Sequence, residues 1–408
     1  MAQKQLKKIP KHMLVVGMFI EEFCGSWMEH PFWRGRFLLE NEADRKRVLE
    51  SSITELWIDA SRGADISEAQ AQACPPVAAP DVAALAQAPT KKVELRVSMA
   101  QELVRARKIC DRSQEAVAQM FSEARMGNAV NAEQCRAMVE EISSSVSRNP
   151  GALISLARLK SADEYTYLHS VAVCALMIAL ARELGLSEAQ VQQAGLAGLL
   201  HDMGKAQIPA AVLNKPGRLT DEEFAVVKAH PQKGYDMLLE AGSASAEVMD
   251  ACLHHHEKVD GSGYPKGLKG DEITLLTKMT AICDVYDAIT SNRPYKHGWD
   301  PAESVRKMAE WSGHFDERVF QAFVKSIGIY PTGSLVRLKS NRLAVVVEQA
   351  ERSLLKPKVK VFYSMANKAR IPPQLVDLAA PNCTEAIDGR ESPERWQFKD
   401  LDELWQPA

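Results

Sequence analysis

A chain of 408 residues, 46% of them hydrophobic, is long enough to bury the cores of two or three domains. A formal net charge of -3 with 25% charged residues gives no bulk attraction for nucleic acid. The longest apolar stretch, Val171 to Ala181, falls short of the ~20 residues that span a bilayer, and the basic start at Met1 to Lys8 lacks the apolar segment of a signal peptide. The expected setting is therefore the cytoplasm with no membrane span, and the eight cysteines, which show no paired spacing, read as reduced packing residues.

In chain order, residues 10–62 predict short strands and turns. Met13–Val16 and Met18–Ile20 flank Gly17, and Ile53–Ile58 alternates. Trp27, Phe32, Trp33, Arg34 and Arg36 lie between them and suit either a small β core or stacking on a nucleotide base. From Gly63 to Thr90 the chain turns to Ala, Gln, Pro and Asp without an apolar face, which predicts a linker. Two helices follow. One carries a stripe of Leu103, Cys110, Val117, Met120, Phe121 and Ala124, the other Cys135, Met138, Val139, Ile142 and Val146, and both suit core packing or, alternatively, a homodimer face. Asp221-Glu222-Glu223 predicts the start of a helix running to His230 and Pro231, and Asp316 the cap of the last helix. After Tyr330 the runs Leu335–Leu338, Leu343–Val347 and Val359–Tyr363 are strand-like. The expected fold class is mainly α: a helical bundle over 151–328, a small β-rich domain over 1–62, a linker over 63–92, connecting helices over 93–150 and a β-rich extension over 329–408.

Six of the ten histidines fall between His169 and His256. His201-Asp202, His230, and His254-His255-His256-Glu257 follow one another, and Asp284 closes the set. Adjacent His-Asp and His-His pairs are costly to bury unless something binds them. Imidazoles and carboxylates without cysteine suit divalent iron or manganese better than structural zinc. Within a helix, an adjacent His-Asp pair points its side chains ~100° apart, so one carboxylate can bridge two ions while the imidazole binds one.

His201-Asp202-Met203-Gly204-Lys205, preceded by His169 and followed by His230 and Asp284, resembles the HD superfamily of phosphohydrolases. His255-His256-Glu257-Lys258-Val259-Asp260-Gly261-Ser262-Gly263-Tyr264-Pro265 resembles the hallmark of its HD-GYP branch. The resemblance covers residues 150–330, and the runs Pro10–Ile20 and Trp27–Arg36 resemble the uncharacterised domain often placed ahead of such units.

The resemblance implies a helical HD bundle that hydrolyses cyclic di-GMP, a bacterial second messenger, to pGpG, with a further cut to GMP left open. Its implied cofactors are two divalent ions. His169, His201, Asp202 and Asp284 would hold one, and Asp202, His230, His255 and His256 the other. Some relatives hold a third metal with a glutamate one turn before the first histidine. Tyr165 stands there in this chain, which implies a binuclear site unless Asp163 or Glu164 swings in. Asp202 and Lys205 would be catalytic, with Lys205, Gly263, Tyr264, Arg293 and Lys296 holding substrate. The Gly263-Tyr264-Pro265 loop would shape a guanine pocket or dock a diguanylate cyclase (GGDEF) domain. His254 reads as a bystander, Glu257 as an orienter of a ligand imidazole or a helix cap, and Asp287 stays open between a group behind the ligands and a surface charge. The alternatives are a catalytically silent receptor or scaffold, and a hydrolase of another cyclic dinucleotide such as cyclic GMP-AMP.

Overall fold

The computed structural model describes residues 6–24, 37–50, 55–64, 96–158, 165–213, 215, 217–242, 244–291, 298–350, 353–398 and 400–406. They fall into two units, Met1–Lys92 and Val93–Ala408. In the first, strands β1 (Leu6–Pro10), β2 (Phe19–Cys24), β3 (Phe37–Leu38) and β4 (Glu55–Asp59) form an antiparallel sheet in the order β1-β4-β2-β3. Period-two alternation sends Ile9, Ile20, Leu56 and Ile58 into one core with Leu14, Met18, Leu39 and Val48. Two details depart from the strands-and-turns expectation. Met13 ends a 3-10 turn and Leu14–Val16 continue as a loop, and Glu42–Glu50 is a helix, α1. That helix buries Val48 among charged neighbours, so its sequence shows no apolar stripe to read. Trp27 to Arg36 and linker positions 65–90 lie outside the described residues.

The second unit opens with α2 (Met99–Arg125) and α3 (Ala132–Arg148), started by a Ser98/Gln101 capping box and an Asn131 cap. Every residue of the two stripes is buried, so both stripes are spent on this unit's own core. A buried Glu102 joins the helices: it accepts from Arg148 Nε and Nη2, each at 2.8 Å, and from Ser145 Oγ at 2.8 Å. Then come α4 (Pro150–Arg158), α5 (Tyr165–Glu183), α6 (Glu188–Leu200), α7 (Ala210–Leu213), α8 (Asp221–Lys228), α9 (His230–Ala241), α10 (Ala246–His254), α11 (Leu275–Thr290), α12 (Pro301–Glu310) and α13 (Glu317–Ile327).

Helix α5 is apolar nearly all round. Its Thr166–Glu183 window has a mean hydropathy of 1.2, enough by length and composition to cross a bilayer, yet 78% of that window is buried inside the protein. It is the central helix of a helical core. Burial also pushes the Cys135 thiol up to about 11, which fits a protonated packing residue.

Five antiparallel strands close the unit: β5 (Leu335–Leu338), β6 (Arg342–Ala350), β7 (Ser353–Ser364), β8 (Ala369–Asp377) and β9 (Ile387–Arg390), ordered β8-β7-β6-β5-β9. This sheet is fastened to the helices. Glu348 Oε1 accepts from the backbone N–H of Met99 (3.1 Å) and from Asn149 Nδ2 (3.2 Å), and Arg390 pairs with Glu303 at 2.5 Å.

Candidate metal centre

Three helix junctions and two helix interiors deliver the clustered side chains. His169 lies inside α5 and Asp284 inside α11. His201 caps the C-terminus of α6, and Asp202 leads a 3-10 turn over Met203–Gln207, so the pair sits where the chain leaves its helix. The expected single helix from Asp221 to His230 is broken in two. α8 ends at Lys228, and His230 opens α9 with Pro231 beside it, because proline suits a first turn and not a helix interior. Gly204 allows this junction to close. A Cβ there would lie 1.9 Å from His230 O and 2.5 Å from Gly234 N, so the backbone of α9 rests directly on the turn. His255 and His256 follow the end of α10.

The seven residues expected as ligands come together. Asp202 stands between two groups and offers one oxygen to each. Its Oδ2 lies 3.5 Å from His169 Nε2 and 3.5 Å from His201 Nε2. Its Oδ1 lies 3.2 Å from His230 Nε2 and 3.9 Å from His255 Nε2. Asp284 also spans the site: Oδ1 is 3.0 Å from His169 Nε2 and 3.8 Å from His201 Nε2, while Oδ2 is 3.9 Å from His256 Nδ1. The ligand atoms of His230, His255 and His256 lie mutually within 4.8 Å, as do those of His169, His201 and Asp202, and of His201, His255 and Asp284.

The ring nitrogens facing away from the centre reveal the protonation of those facing it. His201, His230 and His255 each place Nδ1 on the carbonyl three residues earlier, Gly198 (2.8 Å), Val227 (2.7 Å) and Cys252 (2.8 Å). An N–H at Nδ1 leaves each neutral ring with a lone pair at Nε2. Two such nitrogens, on His230 and His255, face each other at 3.2 Å, and His201 Nε2 and Asp202 Oδ1 are buried without a hydrogen-bond partner. Acceptors packed against acceptors in a dry interior repel unless cations lie among them. The residues fit a divalent-metal centre.

Burial opposes ionisation of Asp202, but Lys205, His201 and His230 outweigh it and hold the carboxyl well below the usual range. Asp284 is likewise held well below the usual range against burial by its contacts with His169 and His201. Burial and the surrounding imidazoles keep His255 neutral, and burial brings His256 down to about 3. His169 moves the other way. Burial pulls its pKa down, yet hydrogen bonds to Asp284 and Asp287 raise it overall.

Three neighbouring residues resolve what sequence reading left open. Asp287, buried on the same helix as Asp284, accepts from His169 Nδ1 at 2.6 Å and so aims that ring at the centre. His254 turns away and pairs with Asp250 at 2.7 Å. Glu257 neither orients an imidazole nor caps a helix. Its carboxylate accepts the backbone N–H of Lys266 (2.7 Å), Gly267 (3.0 Å) and Leu268 (3.1 Å), which folds the following loop back on itself. Gly263 makes that fold feasible, since a Cβ there would meet Glu257 Cα at 2.4 Å and His256 O at 2.6 Å. Tyr264 then stacks on His256, with ring centroids 4.8 Å apart and planes 29° from parallel.

Lys205 lies on the Asp202 turn, with Nζ 2.5 Å from Asp202 Oδ2. Beneath it, Arg125 Nε at the end of α2 donates to Ala206 O at 3.3 Å. Arg293 and Lys296, and with them Asp163 and Glu164, lie outside the described residues, as does the side chain of Tyr165. Asp316 caps α13 through the N–H groups of Arg318 and Val319, as expected.

A helical bundle presenting His-Asp pairs to a buried centre defines the HD-domain class of proteins. Residues 142–319 match the HD domain family model, and residues 6–135 match a domain of unknown function, DUF3391. A Pseudomonas aeruginosa protein named Cyclic di-GMP phosphodiesterase PA4108 is 55% identical over 98% of this chain and 95% of its own length. The Xanthomonas campestris protein named Cyclic di-GMP phosphodiesterase response regulator RpfG is 40% identical over 42% of this chain and 47% of its own. The Vibrio cholerae 3'3'-cGAMP-specific phosphodiesterase 1 is 36% identical over 40% of this chain and 38% of its own. The chain belongs to the HD-GYP family, in the form that carries a DUF3391 domain ahead of the helical one.

Proposed function

We propose that this protein hydrolyses a 3′–5′ phosphodiester of cyclic di-GMP to linear pGpG in second-messenger signalling. The observation that carries the hydrolytic reading is the two-sided Asp202, which offers one oxygen to each of two imidazole groups while His201 Nε2 remains buried and unpartnered. The substrate is supported by the near-full-length relative named for it, against a 36% match over 40% of the chain to a relative named for cyclic GMP-AMP.

The donor set supports two divalent ions, iron or manganese, with no thiolate involved. His169, His201, Asp202 and Asp284 suit one, and Asp202, His230, His255 and His256 the other. The reach of Asp284 Oδ2 toward His256 adds a second carboxylate to that side. Such ions, when bound, supply Lewis acidity to phosphate oxygens and lower the pKa of a coordinated water. The chain does the rest. Lys205, seated on Asp202, presents its ammonium to a non-bridging phosphate oxygen and stabilises the charge that builds as the 3′ oxygen leaves. Tyr264, stacked on His256, forms a wall against which the substrate is oriented, and Gly263 lets the loop approach that closely. By family resemblance Arg293 and Lys296 add cations for the phosphates, and the Gly263-Tyr264-Pro265 tip is the surface for a diguanylate cyclase domain.

The test is to strip the full-length protein with chelator, reload it with Fe2+ anaerobically or with Mn2+, and follow products chromatographically. Expected is loss of turnover on stripping and recovery on reloading, with pGpG formed from cyclic di-GMP at least about tenfold faster than cyclic GMP-AMP is cut. Reloaded protein that cuts neither, or that prefers cyclic GMP-AMP, overturns the reading.

A further inference from the structure

The helix that leads into His230 has an unusual surface. None of the described side chains of α8 is buried. It is held by its capping box and by Lys215, whose Nζ lies 2.6 Å from Glu223 Oε2. On it Phe224 is 46% exposed. Lys228 Nζ lies 5.0 Å from the centroid of the Phe224 ring and 5.0 Å from that of Tyr264, the ring already stacked on His256. Phe224, Lys228, Tyr264 and His256 thus form a continuous line from open surface to the metal centre. Among the described residues no carboxylate pairs with Lys228.

An aromatic ring left in water beside an unpaired cation does little for the fold. The same pair suits a ligand that brings a flat base and an anionic oxygen together. A cyclic dinucleotide has two phosphodiesters and two bases, and the centre acts on one phosphodiester at a time. Its other half must lie outside the centre, and the line through Tyr264 leads to Lys228 and Phe224. We infer that Phe224 and Lys228 form a recognition subsite for the half of the dinucleotide that is not being cut, Phe224 stacking on a purine base and Lys228 facing the second phosphodiester. The inference rests on the proposed function and extends it to residues on a helix that carries none of the metal-ligating groups.

The experiment compares two substrates in the metal-loaded full-length protein: cyclic di-GMP and bis(p-nitrophenyl) phosphate, a small diester with no base and a single phosphate. The ratio of kcat/KM values, cyclic di-GMP over the small diester, is expected to fall about tenfold in Phe224→Ala and in Lys228→Ala. The loss should appear mainly in KM for cyclic di-GMP, and Lys228→Arg should restore most of it. Melting temperatures should match the parent, since neither side chain is buried. An unchanged ratio in both variants, while the parent cuts cyclic di-GMP, overturns the subsite and leaves the proposed function standing. A parent that cuts the small diester and not cyclic di-GMP overturns the proposed function, and the subsite with it.

Discussion

Helices α5 and α8 both serve the same site and are built on opposite principles. α5 is buried along almost its whole length and places His169 in a dry interior, where a hydrogen bond from its Nδ1 to Asp287 orients the ring. α8 buries no described side chain and keeps its shape through a capping box and one lysine–glutamate pair. The floor of the site is thus made by packing and its rim by local polar contacts. Changes in the floor should damage both metal binding and stability, whereas changes at the rim should alter which substrate is preferred.

The comparison can be broken most directly at Asp202. Asp202→Ala removes the carboxylate that comes within 3.5 Å of imidazoles in both groups, and turnover should fall by about a thousandfold or more, with metal content falling in parallel by elemental analysis. A variant that retains both ions and most of its activity would show that the floor does not depend on this residue.

A smaller effect is expected at Asp287, which touches His169 from behind. Asp287→Asn keeps the size of the side chain but weakens its hold on the ring, and metal affinity should drop by about 10- to 100-fold in a competition titration. Wild-type affinity in that variant would make Asp287 a packing residue only.

The smallest effect is a slope. His255 and His256 have folded pKa values below their unfolded value, His256 at about 3. Once pH falls below ~6.5 the unfolded chain takes up protons that the folded chain refuses, so stability decreases with acid. His169, raised in the folded state, works in the opposite sense: its contribution is in place below the unfolded value and is lost as pH rises through the folded one. Between pH 6.5 and 5 the chelator-treated protein should therefore lose stability steadily as pH falls, by on the order of 1 kcal/mol per pH unit for each of the two depressed histidines. Denaturant titrations of His256→Gln should show a shallower slope, and an equal slope would refute the assignment.

Much of the floor is legible in the sequence because most of its ligand candidates belong to a local pattern. His201-Asp202 and His255-His256 are adjacent pairs, and His230 stands before a proline. What could not be read depended on contacts between segments. Asp287 is 118 positions from the histidine it orients, and nothing in its neighbourhood distinguishes it from a surface charge. Glu257, beside the histidines, suits an orienter of an imidazole or a helix cap, whereas its carboxylate serves backbone 9 to 11 residues onward. The rim was missed altogether. Phe224 and Lys228 are ordinary on an amphipathic helix, and only the approach of Tyr264 gives them a setting. The strands after Tyr330 were visible as strands, but their attachment through Glu348 to Met99 and Asn149 was not, since a single glutamate on a strand gives no sign of its distant partners.

The clamp formed by Glu257 has a mechanical consequence. His256 and Glu257 are joined by one peptide bond, so the side chain that faces the candidate metal centre and the side chain that ties down the loop share a backbone anchor. Pressure on the loop tip from any visiting molecule must therefore be transmitted almost directly to an inner imidazole. The loop tip is thus a lever with a very short arm.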